Sequence, residues 1–198
     1  DFPSVLKSFG DSLVFFGGKR KSEGAEKNAN YLMRYKDNKW TEAKLPPLKE
    51  DMVLMNFQVA GGKLNLLYGE GNSKTRKIDM YFSSTSDLKN WSKPALLIEG
   101  LTPEDVLMQI PPQLIVRGKS IMASFADIYG SWTKGEFKYR VFASDDAGKT
   151  WFEPQGPKEW EDKAPCLVML ASHGNDIFAM TGVGHFRDPK IKFWKFSK

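Results

Sequence analysis

Short apolar segments, each about the length of one β-strand, recur along this 198-residue chain. They are rich in Val, Ile, Leu, Phe and Tyr, and each of the four clearest segments follows a polar turn that contains glycine. No long segment has apolar residues at the three- and four-residue spacing of a helix. Strand, two-residue turn and strand is the sequence pattern of a β-hairpin, so we predict a series of hairpins. The four segments are 12–16, 63–68, 120–126 and 176–181.

Tryptophan recurs after a second set of predicted strands, at about every fifty to sixty residues: Trp40, Trp91 and Trp151. A repeat of this length is typical of a propeller, in which each repeat is one four-stranded sheet, or blade. We therefore predict an all-β fold class, a β-propeller of four-stranded antiparallel blades, with a single domain over 1–198. The approximate blades are 1–48, 49–100, 101–160 and 161–198.

One segment, 144–151, matches the pattern S-x-D-x-G-x-T-W at every defined position. The Ser and Asp side chains can accept hydrogen bonds from the amides of their own turn, and Gly allows a positive φ. The Trp can bury a large apolar surface against the blade. We predict a structural clasp between two outer strands and no catalytic role for this motif. Its residues are Ser144, Asp146, Gly148, Thr150 and Trp151.

A second segment, 84–91, is a degenerate copy of this motif. Ser84 and Trp91 have the same spacing as the first and last residues of the complete motif, but Asp87 lies one position later and the Gly is absent. We expect these three residues to have a structural role as well.

The complete motif resembles the Asp box, or BNR repeat, of the sialidase (neuraminidase) superfamily, which includes trans-sialidase-like surface proteins. The resemblance implies a sialidase-like propeller with a ring of six blades, of which about four lie in this chain. The remaining blades of the same precursor would then be partners of this segment. The chain would accordingly be a fragment or a processed part of a longer protein.

The resemblance also implies the groups that sialidase chemistry needs: three arginines for the substrate carboxylate, a tyrosine activated by a glutamate, and an aspartate as acid and base. Asp1 stands where the first arginine is expected, and Gln109 stands at the alternative position for that arginine. Gly occupies the place of the acidic residue that usually precedes an arginine such as Arg20. We therefore expect no catalytic residue in this chain.

Five residues are candidates for glycan binding: Arg20, Asp127, Tyr129, Trp132 and Arg187. Asp127 and Tyr129 follow a predicted core strand, where propeller loops often face a ligand. Tyr129 and Trp132 could stack on a sugar ring, and the arginines could bind a carboxylate. Each residue also has a structural interpretation, as part of a polar turn, a packing contact or a local salt bridge.

Composition excludes several other classes of protein. The formal net charge is +5, but the basic residues are spread out and no nucleic-acid-binding motif accompanies them, so we do not expect a nucleic-acid partner. No apolar run approaches the roughly 18 residues of a membrane span. His173, His185 and the single Cys166 do not have the spacing of a metal site, and we expect no metal and no cofactor. Cys166 is either a buried thiol or the partner of a cysteine outside this chain.

Three functions remain open at this stage. The first is a non-catalytic, extracellular or cell-surface propeller that binds glycans, sialylated glycans among them, or a host protein. The second is part of an active exo-α-sialidase or trans-sialidase whose other blades supply the missing groups. The third is a five-bladed furanosidase-type glycoside hydrolase, which predicts paired acids near the starts of inner strands. The fold alone does not choose among them, because propellers support many functions.

Overall fold

The computed structural model describes residues 5–19, 29–49, 51–72, 75, 77–101, 112–128, 137–154, 165–174, 176–183 and 190–196. Every regular element within these ranges is a β-strand, and there are fourteen of them. They are β1 (Val5–Phe9), β2 (Ser12–Lys19), β3 (Ala29–Lys36), β4 (Lys39–Ala43), β5 (Asp51–Ala60), β6 (Lys63–Asn72), β7 (Lys77–Thr85), β8 (Ala95–Leu101), β9 (Gln113–Arg117), β10 (Ser120–Ile128), β11 (Phe137–Ser144), β12 (Pro165–His173), β13 (Asp176–Val183) and β14 (Lys190–Phe196).

The strands form four antiparallel sheets, and within each sheet the strands follow one another in chain order. Sheet 1 contains β1–β4, sheet 2 contains β5–β8, sheet 3 contains β9–β11 and sheet 4 contains β12–β14. Phe152 adds a single bridge beside β11, at the place of a fourth strand in sheet 3. Because strands that are neighbours in a sheet are also consecutive in the chain, each sheet is a β-meander, and the connections between its strands are local.

Two-residue turns set the register of the hairpins. Gly61 and Gly62 join β5 to β6 with φ angles of 59° and 69°, and Asp37 and Asn38 join β3 to β4 with φ angles of 51° and 57°. Two consecutive residues with positive φ form the turn whose twist matches that of the strands. Gly, Asn and Asp tolerate this conformation best, which explains why these residues interrupt the apolar segments.

The first strands of successive sheets lie side by side. β1 contacts β5, β5 contacts β9, and β9 contacts β12. Each sheet therefore contributes its first strand to the same inner row and extends outwards from it, which is the arrangement of propeller blades. The predicted all-β propeller fold is confirmed, while the exact blade boundaries and the total of six blades stay predictions.

Among the described residues, the hydrophobic core forms three layers, each between two neighbouring sheets. Phe16 and Leu32 of sheet 1 pack against Phe57 and Leu66 of sheet 2. Alternate residues of the same strands face the other side, so that Leu67 and its neighbours pack against sheet 3. Sheets 2 and 3 thus carry apolar side chains on both faces, as expected for blades stacked around an axis.

Polar side chains also join neighbouring sheets. Asn30 Nδ2 donates to the carbonyl oxygen of Met52 at 3.2 Å, and Asn56 Nδ2 donates to that of Pro112 at 2.7 Å.

Among the described residues, no helix has the length and apolarity needed to cross a lipid bilayer.

The connectivity separates two ends of the stack. In each antiparallel sheet, the first and third strands run in the same direction. The turns that follow the first strands therefore lie at the same end as segments 86–90 and 145–150, which follow the third strands β7 and β11. We call this the turn end. The first strands begin at the opposite end, which we call the loop end, and β2, β6, β10 and β13 finish there.

We expect Leu66→Ala to lower the free energy of unfolding by about 2–5 kcal/mol, since Leu66 is fully buried between sheets 1 and 2. Leu96→Ala is the matched control, because Leu96 also lies in a strand of sheet 2 but is half exposed, and should change stability by less than about 0.5 kcal/mol. Urea unfolding of both variants measures the difference. Equal losses would show that the inter-sheet layers do not form the core.

Candidate functional site

The complete motif forms a closed network of hydrogen bonds at the turn end of sheet 3. Ser144 Oγ donates to Asp146 Oδ1 at 2.9 Å and accepts from the Gly148 amide at 2.9 Å. Asp146 Oδ1 accepts from the amides of Lys149 and Thr150, each at 2.9 Å. The Thr150 hydroxyl donates to Asp146 Oδ2 at 2.7 Å. The hydroxyl, carboxylate and glycine positions of the motif make these hydrogen bonds possible. The Asp146 carboxylate accepts its hydrogen bonds from residues of its own turn.

The pKa of Asp146 is held well below its usual value. The hydrogen bond from the Thr150 hydroxyl is the largest cause, followed by the one from the Thr150 amide, and both favour the ionised carboxylate. A carboxylate held in this way does not exchange protons near neutral pH. Asp146 is therefore a structural acceptor and not an acid–base group.

The same turn also attaches sheet 3 to sheet 2. Gly148 has a φ of 84° and lies directly against the Phe82 ring, where a Cβ atom would overlap that ring. Trp151 packs on Phe82 as well, with ring centroids 5.2 Å apart, and its Nε1 donates to the Gly148 carbonyl at 3.1 Å. The motif thus joins two blades in addition to two strands of one blade.

The degenerate motif in sheet 2 makes an equivalent network from a different residue. Thr85 Oγ1 donates to Asp87 Oδ1 at 3.1 Å and accepts from the Leu88 amide at 3.0 Å. Asp87 Oδ1 accepts from the amides of Lys89 and Asn90, each at 2.8 Å. Thr85 therefore makes the hydrogen bonds that Ser144 makes in the complete motif. The sequence alignment, which placed Ser84 at that position, is shifted by one residue. The hydroxyl-to-Asp spacing is unchanged, and the turn is one residue shorter.

Ser84 contributes through its main chain, which exchanges two hydrogen bonds with Ser92: the Ser84 amide donates to Ser92 Oγ at 3.0 Å and the Ser84 carbonyl accepts from the Ser92 amide at 2.8 Å. Leu88 takes the left-handed conformation without being glycine, with a φ of 62°. That conformation costs about 1–2 kcal/mol, and burying a leucine offsets it with about 1.5–3 kcal/mol. Leu88 is 2% exposed and packs in the layer between sheets 1 and 2.

Trp91 completes the parallel with the first motif. Its Nε1 donates to the Lys44 carbonyl at 2.8 Å, just beyond β4 of sheet 1. Both tryptophan turns therefore fasten their own sheet to the preceding sheet in the chain.

Of the five glycan-binding candidates, the structure describes only one. Arg20, Tyr129, Trp132 and Arg187 lie outside the described residues. Asp127 lies in β10, opposite Lys138 of β11 in the strand register.

A pair of acidic residues that the sequence analysis missed lies at the loop end of sheet 2. Glu70 of β6 is directly opposite Asp79 of β7, and Tyr68 is directly opposite Tyr81 on the same face. The two tyrosine rings stack with centroids 5.6 Å apart. Glu70 follows Leu64, Leu66 and Tyr68 on the face of β6 that is turned towards sheet 1, although it is charged. This acidic residue at a core position of the alternating pattern is the signal that could have revealed the pair.

Backbone amides hold both carboxylates. The Lys49 amide donates to Glu70 Oε2 at 3.3 Å, and the Gly100 amide donates to Asp79 Oδ1 at 2.8 Å. Opposite residues on neighbouring antiparallel strands have Cβ atoms about 4.5–5.5 Å apart. The two side chains therefore leave neighbouring strands side by side, and a pair of carboxyl groups is what glycoside hydrolysis uses.

Tyr68 is not the nucleophile that sialidase chemistry requires. Burial raises its pKa well above the usual range, and the negative charge of Glu70 raises the pKa further. Burial is likewise the main cause of the raised pKa of Tyr81. The Tyr68 phenol is therefore neutral near pH 7, and it is fully buried.

Among the described residues, no group of three or more His, Cys, Asp or Glu could hold a metal ion.

Comparison with known proteins gives a fold and no family. The sequence matches no protein-family model, and it matches no curated protein. The similar solved structures include an α-L-arabinofuranosidase, Arb93A of Fusarium graminearum, as the E242A mutant with an iminosugar inhibitor. Its TM-score is 0.57 at 11% identity, and the match covers 98% of this chain and 60% of that chain.

Two further enzymes share the arrangement of sheets. They are the α-L-arabinanase of Penicillium chrysogenum in complex with arabinobiose, with a TM-score of 0.55, and the α-L-arabinofuranosidase of Lactobacillus brevis, with a TM-score of 0.52. Their identities are 12% and 13%; the matches cover 98% and 97% of this chain, and 61% and 71% of the enzymes. These neighbours are not sialidases, so the sialidase resemblance is supported only as far as the propeller fold.

We expect Gly148→Ala to lower the free energy of unfolding by about 2–5 kcal/mol, because it adds the overlap with Phe82 to the cost of a left-handed alanine. Gly118→Ala is the matched control, since Gly118 has a φ of 57° but no atom within 4 Å of the new Cβ. It should cost only about 1–2 kcal/mol. Equal losses in urea unfolding would show that the motif does not pack on sheet 2.

Acid should weaken the two turns. The pKa values of Asp87 and Asp146 are lower in the folded chain than the ordinary value of 3.8, so their stabilisation is complete above about pH 4 and is lost as the pH falls below it. Asp146→Asn should be less stable at pH 7 and show a weaker loss between pH 4 and pH 2. Asp145→Asn, a neighbour on the same turn, should follow the unmodified chain. Urea midpoints at each pH measure this, and identical pH profiles for all three proteins would contradict it.

Proposed function

We propose that this chain belongs to a propeller that binds glycans at its loop end and hydrolyses furanosidic bonds there. The opposed carboxyl groups of Glu70 and Asp79 are the observation that carries the proposal. The likeness of the sheets to arabinofuranosidases and an arabinanase supports it at the level of the fold. The chain spans about 60% of the length of two of these enzymes, so the activity is a property to test on the whole protein.

In this proposal, Glu70 and Asp79 supply the carboxylic acid and the carboxylate that glycoside hydrolysis requires. Tyr68 and Tyr81 stack on each other on the same face of sheet 2, beside the acidic pair. The Lys49 amide holds the Glu70 carboxyl group, and the Gly100 amide holds that of Asp79. A location at the cell surface or outside the cell, expected from the sequence, is part of the same proposal.

A non-catalytic glycan-binding propeller is the second candidate function. It is favoured by the burial of Glu70, which is only 7% exposed, because a general acid must reach the glycosidic oxygen of its substrate. In this case the loop end binds a glycan and the acidic pair only stabilises sheet 2.

Hydrolysis assays on arabinan oligosaccharides, p-nitrophenyl α-L-arabinofuranoside and a fluorogenic sialoside distinguish these functions. We expect turnover of the furanosides, and we expect Glu70→Gln and Asp79→Asn each to lower kcat at least about a hundredfold. Glu99→Gln is the matched control, because Glu99 is an exposed acidic residue at the same end of sheet 2 and should retain full turnover.

Binding of arabinan without turnover, unchanged in both acid variants, would support the second candidate and reject the hydrolase. Turnover of the sialoside alone would reject both forms of the proposal. Circular dichroism of the variants confirms that a loss of kcat does not come from unfolding.

A further inference from the structure

The turn between β7 and β8 contains a short sequence that the proposed hydrolysis does not use. Asn90, Trp91 and Ser92 form the pattern N-x-S, with no proline in the middle position, and no other segment of the chain has the pattern N-x-S or N-x-T. This pattern is the acceptor sequence for N-linked glycans, which are attached to the side-chain amide of the asparagine. The positions of the three residues in the fold decide whether a glycan can be carried there.

The three residues alternate between the core and the solvent. Trp91 packs in the layer between sheets 1 and 2. Its main chain forms a β-bridge with that of Thr85, and the Ser92 amide donates to the Ser84 carbonyl at 2.8 Å, so this short segment runs extended beside β7. In an extended segment, the residues on either side of an inward-facing side chain face outwards. Asn90 and Ser92 are accordingly both exposed.

The side-chain amide of Asn90 can carry a glycan without losing its contact in the turn. Asn90 Nδ2 donates to Asp87 Oδ2 at 2.7 Å. The amide has two N–H groups, and an N-linked glycan replaces the hydrogen of one of them. The other N–H remains available for the Asp87 carboxylate, so the glycosylated turn keeps this hydrogen bond.

Sheet 3 shows that the turn does not need an asparagine at this position. Thr150 holds the equivalent place directly before Trp151, and its hydroxyl donates to Asp146 Oδ2 at 2.7 Å. Either residue type supplies a donor for the carboxylate, but only an asparagine accepts an N-linked glycan. Ser92 also has a role in the turn, because its Oγ accepts from the Ser84 amide at 3.0 Å. Variants that test glycosylation should therefore keep these hydrogen bonds.

The turn lies far from the acidic pair of the proposed function. Asp79 and Thr85 are six residues apart on β7, which is about 20 Å in an extended strand. The residues beside Asn90 in the turn, Asp87 and Lys89, are exposed as well. A glycan on Asn90 therefore projects from the turn end of sheet 2 and leaves the loop end open.

We propose that Asn90 is an N-glycosylation site. The donor is a lipid-linked oligosaccharide diphosphate: a bond forms between Nδ2 and the anomeric carbon of the first sugar, and the bond from that carbon to the diphosphate oxygen breaks. The amide loses one proton, and the lipid diphosphate leaves with the electron pair. The proposal rests on the extracellular or cell-surface location that is part of the proposed function, because this transfer takes place as a chain enters the secretory pathway.

Production of the complete 198-residue chain behind a cleavable secretion signal in cultured human cells tests the site. We expect the intact mass to be raised by one N-linked oligosaccharide, and peptide-N-glycosidase should remove it and leave aspartate at position 90 in the peptide map. Asn90→Thr should lose the added mass completely, because threonine keeps a donor for Asp87 and lacks the amide. Ser92→Thr is the matched control, since it keeps the hydroxyl and the acceptor pattern and should remain glycosylated.

A chain with unmodified Asn90 would overturn the proposal, and so would an added mass that survives in Asn90→Thr. The oligosaccharide is attached before the chain folds, so the same measurement on chain extracted from the cells covers a variant that is not secreted. The mass does not depend on hydrolysis. An occupied Asn90 without furanoside turnover would reject the proposed function alone, and turnover by a chain with an unoccupied Asn90 would reject this inference alone.

Discussion

The structure depends on one constraint: a β-sheet that is apolar on both faces is stable in water only when both faces are covered. Sheets 2 and 3 meet this condition because each lies between two neighbours, with Leu66 on one side of β6 and Leu67 on the other. The strand alternation, the inner row of first strands and the position of each tryptophan all follow from it. No sheet could fold by itself with this pattern, so the sheets form a cooperative unit.

The tryptophan turns convert local hydrogen bonds into contacts between sheets. A hydroxyl and a carboxylate satisfy the turn amides, which fixes the backbone, and the fixed backbone then places Gly148 and Trp151 on Phe82. In the same way, the turn of sheet 2 places Leu88 and Trp91 against sheet 1. The turns and the acidic pair lie at opposite ends of the stack, so the structural carboxylates are separate from those proposed for chemistry.

Much of the fold could be predicted from the sequence because its signals are local. Glycine turns, alternating apolar residues and spaced tryptophans each act within a few residues of chain. The alternating pattern marks Glu70 as a charged residue at a core position, but its pairing with Asp79 depends on the register across the connection between β6 and β7, which no local pattern determines. The alignment of Ser84 with the first serine of the complete motif was shifted by one residue for a similar reason, since Ser84 and Thr85 both carry a hydroxyl and only the structure shows that Thr85 caps the turn.

The shortened turn of sheet 2 has a consequence for how related repeats are recognised. Thr85 and Asp87 keep the two-residue spacing of their partners in sheet 3, while Leu88 replaces glycine at a left-handed position because its side chain is buried. A search pattern built on the complete motif requires that glycine and a fixed distance to tryptophan, and so overlooks such turns. A pattern written for the capping hydroxyl and its carboxylate, with glycine optional and the loop length variable by one, would count blades more faithfully in distant sequences.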